Sequence, residues 1–122
     1  MEAEIIMSEL DNTNVEISED VIATIAGKTA LEIEGVYEMN GGIVGEIKDI
    51  VGKKSLKRGV KVEITETKDI IVDLFLTVKY GVKIPDIAWK IQDKVKKTLE
   101  DMTGMNVPAV NIHIQGINFD NN

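Results

Sequence analysis

A chain of 122 residues is the size of one domain with a single core, and its 43% hydrophobic share is that of a globular protein whose apolar runs fall far short of a membrane-spanning helix. Fourteen Lys and Arg against 21 Asp and Glu give a formal net charge of -7, an average field that repels nucleic acid and anionic lipid unless a local basic patch intervenes. The absence of cysteine excludes disulfides, thiolate metal sites and cysteine nucleophiles, and a single histidine nearly excludes nitrogen-ligated metal sites.

Residues 1–13 are polar and begin acidic where a secretory signal is basic, so they read as a flexible leader and the cytoplasm is the default compartment. One domain is expected over 14–118, with a polar tail at 119–122. Ser18 is an N-cap residue followed by Glu19 and Asp20, which favour the positive end of a helix dipole. The helix that starts there carries Val21, Ile22, Ile25, Ala26, Thr29 and Ile33 along one side, and Gly35 is placed to end it as a left-handed cap. Val36 to Met39 reads as a short extended piece. A short helix over 43–51 is suggested by Ile43, Val44, Ile47, Ile50 and Val51, although Gly45 weakens it.

From Val60 the period changes to two, with Val60, Val62 and Ile64 on one side and Lys61, Glu63 and Thr65 on the other. After a polar turn, Ile70, Val72, Leu74, Leu76, Val78 and Tyr80 alternate with Ile71, Asp73, Phe75, Thr77 and Lys79, which makes a hairpin. Pro85 suits a first helical turn, and the stripe Ile84, Ile87, Ala88, Ile91, Val95, Leu99 and Met102 predicts a long amphipathic helix closed by Gly104. Val110, Ile112 and Ile114 alternate with Asn111, His113 and Gln115 in a last strand. These elements predict an α+β two-layer sandwich: a small three- to four-stranded mixed sheet, two main helices packed on one face, and the other face left polar.

The chemistry-bearing residues are few. His113 lies at an outward strand position with no nucleophile at an interpretable spacing, so no catalytic residue is assigned. The glycines at 41, 42 and 45 lack the Lys-Ser/Thr of a phosphate loop, and scattered carboxylate pairs follow from acidity alone, so no cofactor or metal is expected. Lys53, Lys54, Lys57 and Arg58 form one basic patch, and Lys90, Lys94 and Lys97 (with Lys83) a second. Either meets RNA, lipid headgroups or an acidic protein surface, or is a solvated face balanced by nearby acids. Trp89 lies off the apolar stripe, Phe75 points away from the core and Leu31 is opposite the first helix's core face. They are anchors for a protein partner, or side chains covered by the leader and a loop.

The run Val21-Ile-Ala-Thr-Ile-Ala-Gly-Lys-Thr-Ala30 with Glu34-Gly-Val36 resembles the opening of the alkaline shock protein family, also called the Asp/Gls envelope stress response family. Leu76-Thr-Val-Lys-Tyr-Gly81, Ile84-Pro-Asp-Ile-Ala88, Met102-Thr-Gly104 and Val110-Asn-Ile-His-Ile-Gln-Gly-Ile117 are similar to its second half. The compact length is nearest to the stand-alone YloU-type members. The resemblance implies a non-enzymatic envelope-stress accessory protein that binds proteins, itself or a membrane-anchored relative included, at the cytoplasmic side of the membrane. It also implies an association of YloU-type members with fatty-acid kinase loci, and so a kinase-regulatory alternative beside the RNA-binding one. DNA binding and direct membrane insertion are not expected.

Overall fold

The computed structural model describes residues 15–40 and 58–120. The leader, the short helix expected over 43–51, and Lys53, Lys54 and Lys57 of the first basic patch lie outside the described residues.

Helix α1 spans Glu19–Leu31 because Ser18 accepts a hydrogen bond from the Val21 amide and two acids occupy the first turn. Its buried side is Ile22, Ala23, Ala26, Thr29 and Ala30, whose small side chains permit close packing, whereas Val21 is rotated outward. The helix ends earlier than the glycine spacing predicts. Glu32, still right-handed, caps it by donating its amide to the Thr29 and Ala30 carbonyls. Gly35 is instead the turn into the next strand, at φ +107, where a Cβ would collide with Ile87.

Four strands form one sheet: β1 (Val36–Met39), β2 (Val60–Ile64), β3 (Ile70–Lys79) and β4 (Ala109–Asn118). Strand β3 is central. β2 and β1 pair antiparallel with successive stretches of the same edge, Ile70 to Leu74 and Leu76 to Val78, while β4 runs parallel along the other edge. The sheet is therefore mixed, as expected. Between β2 and β1, Phe75 carries both junction bonds, its amide donating to the Gly59 carbonyl and its carbonyl accepting from the Asn40 amide, each at 2.8 Å. Gly59 is required there: φ is +77, and a Cβ would stand 2.4 Å from the Asn40 carbonyl oxygen.

Helix α2 (Ile84–Thr103) has Pro85 in its first turn and ends at Gly104 in the left-handed conformation. It lies beside α1 and over the β4 side of the sheet, while α1 lies over β1 and β2. Both helices therefore cover one face. The core is the inward row of β3 (Ile70, Val72, Leu74, Leu76, Val78), at most 1% exposed, against Ile22 and Ala26 of α1 and Ile91, Val95 and Leu99 of α2. Each such aliphatic side chain contributes about 1.5–3 kcal/mol on burial. Besides Val21, the expected apolar rows lose Tyr80, which lies beyond the last residue of β3 at 71% exposure, and Ile84 and Met102 near the two ends of α2, which are exposed.

The loop into β4 is fastened from α2. Glu100 accepts from the Val107 amide at 3.0 Å and from Lys96 at 2.9 Å, and Lys96 also donates to the Val107 carbonyl. The Val107 amide, and secondarily Lys96, hold the Glu100 carboxyl below the usual carboxylate range.

Candidate functional site

The face of the sheet that neither described helix covers gathers the polar residues that alternate with the core rows. The β2–β3 register sets Lys61 opposite Asp73, and the β3–β4 register sets Asp73 opposite Asn111 and Phe75 opposite His113. His113 meets Asp73 at 3.0 Å through Nε2 and stacks on Phe75 with ring centroids 4.5 Å apart and planes 10° from parallel. The hydrogen bond from His113 is the main reason the Asp73 carboxyl sits below its ordinary value; the Asn111 side chain and the charges of His113 and Lys61 act the same way, and partial burial opposes them. Higher on the face, Thr77 donates to Asn40 Oδ1 at 2.8 Å and Asn40 Nδ2 donates to Gln115 at 3.3 Å, tying the end of β1 across β3 to β4.

This is a polar strand surface with an aromatic centre. The Asp–His pair has the form of a base and its orienting group, yet the hydroxyl nearest in this network, Thr77, is engaged with Asn40. Among the described residues, no group of three or more His, Cys, Asp or Glu is arranged to hold a metal ion, and no helix is long and apolar enough to cross a membrane.

The three expected anchors do not form one patch. Phe75 is half-buried on the open face, whereas Trp89 (62% exposed) and Leu31 belong to the helix layer. Of the expected basic residues, Arg58 and Lys90 are exposed, Lys94 reaches Glu32 at 3.8 Å and Lys97 pairs with Asp93 at 3.2 Å. Lys96 pairs with Glu100 as well, so the helix lysines are largely matched by acids.

Sequence reasoning missed a second apolar feature. Residues 78–82, Ile84 and Ile117 line an open hollow of about 320 Å³ at the end of β3. Beside it Tyr80 and Phe119, 71% and 70% exposed, lie with ring centroids 5.1 Å apart. The available signal was weak: Tyr80 continues an inward alternation, and Phe119 stands alone in a polar tail.

Comparison with known proteins follows the same span of chain. The model of the alkaline shock protein 23 family, described as having a cell envelope-related function, matches residues 7–119. The Bacillus subtilis protein YqhY is 40% identical over 106 residues, 87% of this chain and 78% of that protein. YloU of the same organism is 36% identical over 109 residues, 88% of this chain and 90% of its own length. A Streptococcus pyogenes protein described as a stress response regulator Gls24 homolog is 32% identical over 98 residues, 80% of this chain and 54% of that protein. No solved structure matches the chain.

Proposed function

The chain belongs to the alkaline shock protein 23 family, of cell envelope-related function, and from that premise we propose that it is a non-enzymatic, protein-binding adaptor that self-associates and works at the cytoplasmic side of the envelope membrane, recruited there by a partner. One observation carries the reading. Of five aromatic residues, three (Trp89, Tyr80 and Phe119) are at least 62% exposed. Large apolar side chains held in water are the usual anchors of protein interfaces. The sheet face with Phe75 and His113 at its centre, on which the described residues form no enclosing cleft, suits a protein surface better than a small substrate. An RNA-binding role finds less support, because Lys94, Lys96 and Lys97 are matched by acids. A kinase-regulatory role is one form the adaptor can take.

A crosslinked pull-down comparing the wild type with Trp89→Ala and Phe75→Ala tests the proposal. Loss of the same partner in either variant supports it; an unchanged partner set in both variants counts against these surfaces. A filter-binding titration that saturates with RNA at low salt, and weakens as salt rises, favours the RNA reading instead.

A further inference from the structure

The two edges of the sheet are built differently. The β1–β2 edge carries Glu38, Lys61 and Glu63, the charged side chains with which edge strands normally discourage pairing. Strand β4, ten residues long, contains no Asp, Glu, Lys or Arg in a chain that is 29% charged. At that composition about three charges are expected in ten residues. Among the described residues β4 pairs only with β3, so its outer edge is free of a strand partner there. From α2, Gln92 reaches it, donating to the Val110 carbonyl at 2.9 Å.

The inward row also ends unfinished at this edge. Along β3 it is at most 1% exposed, but Ile112 and Ile114 of β4, on the same face, are only partly buried. The same margin continues into exposed Ile117 and Phe119.

We propose that the free edge of β4 pairs antiparallel with the same edge of a second copy of this chain, joining two four-stranded sheets into one. This rests on the self-association reading above and names its surface. The occupant follows from charge. Two chains of net charge -7 repel, and at a two-fold contact any charged residue near the axis meets its own copy. The uncharged β4 edge avoids that repulsion, and a two-fold through one of its residues keeps the inward row of one copy opposite the inward row of the other. Ile112 and Ile114 then lie against apolar residues of the second copy, while Asn111, His113 and Gln115 face one another across the open side. The ladder to β3 is regular through Ile114 and shifts by one residue at Gln115, so the most regular run for pairing is its first half.

Sedimentation of the full chain over about 1 to 100 µM tests this, together with hydrogen exchange of the β4 amides at both ends of that range. The expected result is a dimer in which the alternate amides of β4 that point away from β3, chiefly in its regular first half, gain protection as concentration rises. Asn111→Lys with Gln115→Lys, both at exposed positions, should weaken the dimer roughly ten-fold or more, because across the two-fold each lysine faces a lysine of the other copy, while the loss of the Asn40–Gln115 and Asn111–Asp73 contacts lowers the melting temperature only slightly. A strict monomer over the whole range overturns the inference. So does a dimer that ignores both lysines and whose β4 protection is independent of concentration; self-association then survives on another surface, and Trp89→Ala identifies whether that surface is the helix layer. If the double variant fails to fold, exchange on the unmodified chain decides alone.

Discussion

Asp73 and His113 come from strands separated by α2, and their bond is the largest of the influences that lower the Asp73 carboxyl. The Asp73 pKa is depressed in the fold, so its contribution to stability is complete above the unfolded value of about 3.9 and is lost as pH falls through the lower folded value. Asp73→Asn is therefore expected to cost less than about 1 kcal/mol at pH 7, because the pair is partly exposed. The difference from wild type should shrink as pH drops below about 4. Urea midpoints of both proteins from pH 5 to pH 3 measure this; a gap that widens as pH falls below about 4 contradicts the assignment. Gly59 makes a different demand. Gly59→Ala places a methyl against two backbone carbonyls and forces a left-handed alanine, so a loss of about 1–3 kcal/mol is expected in the same assay.

Helix α2 is where pattern and structure can be separated most cleanly. Its stripe as read from spacing runs from Ile84 to Met102, but only Ile87, Ile91, Val95 and Leu99 reach the core. Leu99→Ala should then cost about 2–5 kcal/mol and Met102→Ala no more than about 0.5 kcal/mol, although periodicity ranks them alike. Thermal melts of the two variants decide it. The strands were legible because β3 has one face sealed by helices, so period-two alternation is enforced at every step from Ile70 to Val78. Helix ends were less so. Gly35 looked like a cap, yet Glu32 closes α1 and the glycine serves the approach of Ile87 from another element. The open face was legible as a list of outward residues but not as a site: the stacking of Phe75 on His113 depends on the offset between two parallel strands, which no local spacing encodes. Nor does a local pattern say that β1 and β2 share one edge of β3 and so leave the uncharged β4 at the other.

At the scale of the whole molecule, the acidic charge and the neutral edge give opposite salt responses to competing modes of action. Each copy carries -7, so assembly through an uncharged strand works against a repulsion that salt screens; the Debye length is about 10 Å at 0.1 M and about 3 Å at 1 M. Raising salt from about 0.05 M to 0.5 M should therefore tighten self-association several-fold. Capture of an anionic partner by Lys90 or Arg58 should do the reverse, since those side chains act through unscreened charge and released counterions. Sedimentation equilibrium at the two salt concentrations measures the first, and titration with a polyanion the second. An association that weakens with salt would mean that charged side chains hold the copies together, and the absence of charge on β4 would then have no bearing on assembly.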